Sequence, residues 1–350
     1  MKVISILLPT IDSGGAEKQA VLLATQLSKL FYVHLIILYG EHEEYKANSD
    51  LLYASPVHIH KLSGNLVVKL RHIKNILKNT GTSVLFNFLS LPDIIGSYVG
   101  HRIGIKVYNG IRTTRLEAKK EYFERYAHNH WATGTIYNCY SGAKYFEGKG
   151  FNKRKNIVIP NCFPNIEQPI HRQPKQLKTI LTVGRFDAAK DYETIIKSIS
   201  MLRRSDYRLC IVGYGALEEQ IRSWIKEYGI EDRTDIHIKP DNVSGLERNA
   251  DIYISTSLFE GTSNSIMEAM NWSLPVVATD VGDNNHLIID GESGYLHPVG
   301  DVSGIVESLN RLLDSADLRN KMGAKGNFHL KENYSMEIFE KRYLKLIEDK

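Results

Sequence analysis

Short runs rich in Val and Ile alternate with stretches of helical period along this chain, and after a cluster of prolines the alternation starts again. Alternating strands and helices favour right-handed βαβ units around a parallel sheet, because each crossover helix can bury its apolar face only against the strands it joins. In the first half, strands are predicted at residues 3–8, 33–39, 84–88, 106–108, 135–138 and 156–159, and helices at 16–30, 66–79, 115–128 and 142–149. In the second of these helices Leu66, Leu70, Ile73 and Leu77 share one face, with Lys69, Lys74 and Lys78 directed elsewhere.

Pro160, Pro164, Pro169 and Pro174 then mark a linker. Beyond it, strands are predicted at residues 179–183, 208–212, 235–238, 251–255 and 276–278, separated by helical stretches. The tail at 336–347 is amphipathic, with Phe339, Tyr343 and Ile347 at helical spacing. Two doubly wound α/β domains of similar size are therefore expected. A chain of 350 residues, 43% apolar and 24% charged, has the composition for two packed cores.

The same composition excludes disordered, collagen-like and disulfide-stapled chains. No apolar run approaches the ~18 residues of a membrane span. The start at residues 1–9 is too short for a signal peptide, and Asp12, Glu17 and Lys18 follow it without a small-residue cleavage site. Cys139, Cys162 and Cys210 form no metal-ligand spacing and read as reduced thiols of a cytoplasmic protein. Charge is divided unevenly. Residues 1–163 carry 21 Lys and Arg against 11 Asp and Glu, a net of +10, whereas residues 164–350 carry 23 against 29, a net of −6. The first half is thus suited to an anionic surface or a phosphorylated substrate, unless its cations are simply solvated helix faces.

Ligands of open α/β sheets bind beyond the carboxyl ends of the strands, so residues just after strands are the candidates. After the first strand, Gly14-Gly15-Ala16-Glu17 opens a helix whose free N–H groups suit an anion, or forms an ordinary turn capped by Asp12 or Ser13. After the first strand of the second half, Arg185 and Lys190 bracket a short loop and can converge on one diphosphate; alternatively they are surface cations. Gly213-Tyr214-Gly215 resembles a nucleotide turn, but Glu218 replaces the third glycine of a dinucleotide fingerprint. In 257–270, Glu260 precedes a helix start at Gly261, Thr262 and Ser263. Glu268 follows inside that helix among apolar Met267, Ala269 and Met270. A carboxylate among apolar neighbours needs a specific partner. At ~1.5 Å rise per residue the two carboxylates lie on the order of 10 Å apart, which suits hydroxyls at opposite ends of a long ligand and not a shared-proton pair. The alternative is a cap at Glu260 and a surface Glu268.

At these residues the chain resembles the retaining nucleotide-sugar glycosyltransferases of family 4. The resemblance runs through Gly14–Glu17, Asn138–Ser141, Val158–Asn161, Arg185 with Lys190, Glu260-x7-Glu268 and Pro275–Thr279. It implies the GT-B fold, two Rossmann-like domains facing across a cleft: an N-terminal acceptor-binding domain, 1–163, joined by the C-terminal helix 335–350, and a nucleotide-sugar donor domain, 164–334. By resemblance, Arg185 and Lys190 bind and stabilise the donor diphosphate, and Gly261, Thr262 and Ser263 offer it backbone N–H groups. Glu268 holds the ribose, Glu260 the sugar hydroxyls, and Gly15 lets backbone close over the phosphate. Many members carry a His after the strand at 106–108, where this chain has Arg112, a possible sugar or acceptor contact.

The implied activity is transfer of a hexosyl or N-acetylhexosaminyl unit from a nucleoside-diphosphate sugar, with uridine the commoner base. The acceptor is a saccharide or lipid-linked saccharide of cell-surface polysaccharide or glycolipid synthesis. No cofactor, metal or nucleic acid is implied. The chain contains no Asp-x-Asp, the metal motif of many other glycosyltransferases, and two fixed cations would take the metal's place. The basic half would allow peripheral contact with the inner face of an anionic membrane. Alternatives are a sugar-nucleotide epimerase of the same fold or a non-catalytic nucleotide-sugar-binding subunit.

Overall fold

The computed structural model describes residues 2–113 and 115–349. The chain divides into two compact units, Met1–Cys162 with Glu337–Lys350, and Phe163–Met336.

Unit 1 alternates strand and helix: β1 (Val3–Leu8), α1 (Gly15–Leu27), β2 (Tyr32–Ile37), α2 (Lys46–Tyr53), β3 (His58–Lys61), α3 (Leu66–Asn79), β4 (Val84–Asn87), α4 (Ser90–Ile103), β5 (Lys106–Ile111), α5 (Ala118–His130), β6 (Gly134–Tyr137), α6 (Tyr140–Gly148) and β7 (Asn156–Val158). The strands form one parallel sheet in the order β3-β2-β1-β4-β5-β6-β7. The central strands are continuous apolar runs because helices cover both faces. Ile4 pairs in register with Val33 on one side and Val84 on the other.

Unit 2 repeats the plan with β8 (Lys178–Arg185), α7 (Tyr192–Ser200), β9 (Tyr207–Tyr214), α8 (Glu218–Glu227), β10 (Thr234–Ile238), α9 (Val243–Asn249), β11 (Ile252–Ser255), α10 (Asn264–Asn271), β12 (Val276–Thr279), α11 (Asn284–Leu287), β13 (Gly294–His297), α12 (Val302–Asp314) and α13 (Ala316–Tyr334). Its six parallel strands run β10-β9-β8-β11-β12-β13. The last helix, α14 (Met336–Glu348), returns to unit 1. Phe339, Tyr343 and Ile347 are buried there, and the Tyr343 ring meets Phe86 edge-on at 5.2 Å. Burial of side chains the size of Phe339 and Ile347 contributes ~1.5–3 kcal/mol each. Lys350, the end of the tail helix predicted at 335–350, lies outside the described residues.

The segment read as a linker is strapped to unit 2. The Arg172 guanidinium donates to the carbonyls of Ala250 (2.7 Å), Trp272 (2.7 Å) and Ser273 (3.0 Å), while Glu167 N–H donates to Asn271 Oδ1 at 2.7 Å. Helix α4 has no counterpart among the predicted elements, since Pro92, Gly96 and Gly100 read as breakers. Pro92 sits in the first turn, where no N–H is needed. A Cβ on Gly96 would lie 2.1 Å from Asn87 Oδ1, and one on Gly100 2.3 Å from Val107, so both glycines let the helix lie close on the sheet. Two details of α3 differ from its predicted face. Leu66 is exposed, and Lys69 is buried with its ammonium 4.0 Å from the Tyr39 ring centre. No helix among the described residues is long and apolar enough to cross a membrane.

Candidate active site

In unit 2 the loops that follow β8, β11 and β12 are fastened to one another. Arg185 ends β8, and Phe186 turns into the core, its ring edge-on to Tyr192 at 5.2 Å. The end of β9 runs so close alongside that a Cβ on Gly213 would lie 1.9 Å from the Gly184 carbonyl oxygen. Gly215 has φ +153°, and a Cβ there would lie 2.6 Å from the Phe186 oxygen. The Gly213-Tyr214-Gly215 sequence is therefore required by strand packing, whatever it does for a ligand.

Asp187 then caps a short 3-10 turn over Ala188–Lys190, accepting from Ala189 N–H at 3.1 Å. Asp191, at φ +46°, caps α7. This turn aims Lys190 across to the β11 loop, where its Nζ lies 2.5 Å from Glu260 Oε1. The same oxygen accepts the Ser257 hydroxyl at 2.8 Å. Both groups are mostly buried, with side-chain exposures of 22% and 14%, so solvent screens the pair only partly. Backbone bonds hold the two loops in place: Leu258 N–H donates to Ala189 O at 2.8 Å, and Thr256 Oγ1 to Asp191 O at 2.7 Å. Thr279 Oγ1 ties β12 to Ser257 O at 2.6 Å. Gly282, at φ +58°, passes where a Cβ would lie 2.1 Å from Glu260 O.

Arg185 has a side chain 76% exposed, with Asp187 at 3.2 Å. It is on the same loop as Lys190 but stands at the exposed surface. Gly261 and Thr262 are half-buried and Ser263 is buried at the start of α10, which gains no side-chain cap from Ser263. Glu268 lies inside this helix, half-buried between buried Met267 and Ala269. The structure thus brings Lys190, Glu260 and the α10 start together, with Arg185 at the rim.

Two further sequence-predicted residues belong to unit 1. Gly15 is the first residue of α1, and a Cβ there would meet nothing within 4 Å. Arg112 follows β5. Its guanidinium donates to Tyr343 Oη at 2.8 Å and to Asn161 Oδ1 at 3.5 Å, and lies 4.7 Å from the Phe88 ring centre. That places Arg112 between the sheet of unit 1 and α14.

Sequence reasoning missed three features. Ser257 is the second donor to Glu260, and nothing in a Ser-Thr-Ser run marks which hydroxyl turns inward. Glu247 is a buried carboxyl on α9 beside Glu268; followed by Arg248, it reads as a solvated charge. Asp93 and Glu124, both 0% exposed, face each other under the carboxyl ends of β5 and β6, near the buried Tyr137 hydroxyl. Asp93 Oδ1 accepts Gly110 N–H at 2.8 Å. Burial pushes both carboxyls above the usual carboxylate range.

Residues 165–327 match the family described as glycosyl transferases group 1. Along 91% of its length the chain is 25% identical to a Campylobacter jejuni N-acetylgalactosamine-N,N'-diacetylbacillosaminyl-diphospho-undecaprenol 4-alpha-N-acetylgalactosaminyltransferase, covering 92% of that protein. It is 23% identical, over 99% of its length and 98% of the relative's, to a second undecaprenol-linked alpha-1,4-N-acetyl-D-galactosaminyltransferase of the same organism. In structure it is similar to Anabaena HepE in complex with UDP, with a TM-score of 0.82 at 15% identity and 99% coverage of both chains. It is also similar to the lipopolysaccharide outer core galactosyltransferase WaaB in its apo form, with a TM-score of 0.80 at 17% identity and 99% coverage of both.

Proposed function

The chain is a glycosyltransferase with the GT-B fold, and on that premise we propose that it moves a hexosyl or N-acetylhexosaminyl unit from a UDP-sugar to a hydroxyl of a lipid-linked saccharide, with retention at the anomeric carbon. Unit 2 is the donor unit in this reading and unit 1 the acceptor unit. The observation that carries it is the Lys190–Glu260 pair, joined through one loop to the start of α10, beyond the carboxyl ends of parallel strands.

In the reaction the bond from the anomeric carbon to the diphosphate oxygen breaks, the bond to the acceptor oxygen forms, and the acceptor proton passes to the departing diphosphate. The transition state resembles an oxocarbenium ion, so the protein must stabilise negative charge growing on the diphosphate. Lys190 and Arg185 supply two cations. The backbone N–H groups of Gly261, Thr262 and Ser263 at the α10 N-terminus supply fixed dipoles. Ser257 and Lys190 hold Glu260 in place, so that it can accept from sugar hydroxyls. Glu268 accepts from the ribose. Two cations on a fixed frame replace a divalent metal. In unit 1, a Cβ on Gly15 would meet nothing within 4 Å, which leaves that side of the first residue of α1 open to a ligand.

The relatives named for undecaprenol-linked substrates support a lipid-linked acceptor. Support for peripheral contact with the inner face of an anionic membrane comes from unit 1 itself, with its net basic charge and with Tyr122, Phe123 and Tyr126 exposed on α5 beside Lys119 and Lys120. Aromatic rings with flanking cations suit the headgroup region.

Thermal stabilisation against a panel of UDP-, GDP- and ADP-sugars tests the donor, since a ligand at 100 times its Kd adds about 2.7 kcal/mol. Stabilisation by a UDP-sugar, followed by UDP release only with a polyprenyl-diphosphate saccharide, is expected. Stabilisation by none of the panel would overturn the donor reading.

A further inference from the structure

Two glutamines of α1 hold the two segments where the chain changes unit. The chain leaves unit 1 between Cys162 and Phe163 and returns to it between Met336 and Glu337. Gln19 and Gln26 are seven residues apart on α1, which puts them on one face, on the order of 10 Å apart along the axis. Gln19 is 5% exposed among buried Ala20, Val21, Leu23 and Ala24. An amide buried in such company is costly unless it is bonded, whereas a leucine would carry no such cost. Both ends of this amide are bonded to one residue. Its Oε1 accepts Cys162 N–H at 3.0 Å and the Cys162 thiol at 3.3 Å, and its Nε2 donates to Cys162 O at 3.1 Å. Gln26 Nε2 donates to Glu340 Oε2 at 2.5 Å, in the first turn after the chain has returned, and Gln26 Oε1 accepts from Lys29 Nζ at 2.8 Å.

The outgoing segment has little torsional freedom of its own. Pro160 and Pro164 have fixed φ, and the residue before each is confined to extended backbone. Cys162, bonded through both its N–H and its C=O to one side chain, has the direction of both groups set by α1. The Cys162 carbonyl and the Phe163 N–H belong to a single planar peptide unit. That carbonyl is bonded to Gln19 of unit 1, and that N–H donates to Tyr334 O of unit 2 at 2.7 Å. Phe163 also bridges Ser335, so the outgoing chain runs beside the segment that leads back.

We propose that Gln19 and Gln26 are positioning residues for transfer, fixing through α1 the joint between the acceptor unit and the donor unit. The proposal rests on the reading of unit 2 as the donor unit and unit 1 as the acceptor unit. On that reading an anomeric carbon carried by one unit must meet a hydroxyl carried by the other, and a misplacement of about 1 Å can cost about 100-fold in rate. The glutamines act through the chain that joins the units, so they affect turnover and leave nucleotide binding by unit 2 alone.

The test measures the joint and the reaction separately. Cys139, Cys162 and Cys210 are buried, so spin labels go to Lys74→Cys on α3 and Lys226→Cys on α8, both exposed positions. Pulsed electron resonance gives the distribution of label-to-label distances, without ligand and with UDP. Gln19→Met keeps the packing volume and removes all three bonds. It should broaden the distribution and lower kcat about ten-fold or more at unchanged UDP affinity. Gln26→Glu sets two carboxylates against each other and should also broaden it, while adding Glu340→Gln restores the bond with its roles reversed and should return both readouts to wild type. This exchange decides the matter if Gln19→Met does not fold. A merely structural role would lower the melting temperature and leave the distribution and kcat as they are. With an active wild type, an unchanged distribution or an unchanged kcat in the folded variants would overturn the proposal alone. A wild type that binds no UDP would remove the donor reading and this proposal with it.

Discussion

Lys190 Nζ and Glu260 Oε1 are 2.5 Å apart, on two loops whose backbones are bonded to each other through Leu258 and Ala189. On the reading proposed above, the pair is a preformed junction between a cation for the leaving group and an anion for the sugar. Neither side chain has to be ordered from solvent when a donor arrives, which lowers the entropic cost of catalysis.

Lys190→Ala should lower kcat about 10²–10³-fold, the usual effect of removing one group that stabilises developing charge. Glu260→Ala should also lose most turnover. Because each side chain orients the other, the double variant should lose far less than the two effects combined. Transfer kinetics on all four proteins measure this. Losses that simply multiply would mean the pair does not act as a unit.

In the proposed mechanism Arg185 and Lys190 supply the charge a divalent ion would bring, so transfer should persist in excess EDTA. Loss of activity in EDTA with recovery on adding Mg²⁺ or Mn²⁺ would refute this.

Asp93 and Glu124 make unit 1 sensitive to pH from inside. Burial raises Asp93 from 3.8 to about 7, so the stability tied to its proton is fully present below pH ~4 and is lost as pH rises through neutrality. Asp93→Asn keeps the acceptor for Gly110 N–H and removes the titration. It should gain on the wild type by on the order of 1 kcal/mol per pH unit between pH 5 and 7. His34 and His128 are lowered to about 4 chiefly by burial and act in the opposite sense, destabilising the fold as pH falls below 6.5. The difference between variant and wild type removes their contribution. Hydrogen exchange of the β5 and β6 peptides is the readout, and a constant difference across pH would argue that neither carboxyl holds a proton.

Vesicles containing anionic lipid should sediment the protein at low salt, and neutral vesicles should not. Each cation near such a surface adds ~1 kcal/mol, so a group of about four suffices for reversible binding. Replacing Tyr122 and Phe123 by Ser should weaken the attachment that remains at high salt, where charges are screened within a few ångströms. Equal, negligible binding to both vesicle types would leave the basic half as a solvated surface.

Much of the fold was legible because parallel strands buried on both faces must be written as unbroken Val and Ile runs. Of the four edge strands, β7 and β10 match the runs at 156–159 and 235–238, but two were not legible: β3 is His58-Ile59-His60-Lys61, half exposed, and β13 starts with a glycine. Helix α4 was hidden because its glycines serve contact with Asn87 and Val107, which no local pattern reveals. At the candidate site, Arg185, Lys190, Glu260 and Glu268 stood out by spacing after strands. Glu247 and Asp93 did not, since the cost of a buried carboxyl depends on neighbours distant in sequence.

Helix α14 completes unit 1 with residues that lie beyond the whole of unit 2, Phe163–Met336. A ribosome adds about 5–20 residues per second, so it spends roughly ten to thirty-five seconds on that stretch. Through this interval Phe86 waits without the Tyr343 ring, Tyr108 without the Leu346 carbonyl its hydroxyl reaches at 3.3 Å, and Lys2 without the Ile347 carbonyl it bonds at 2.8 Å. The unit synthesised first is thus the unit finished last. Its apolar opening is exposed for as long as translation takes to cross the other one, and that is the window in which a chaperone would find it.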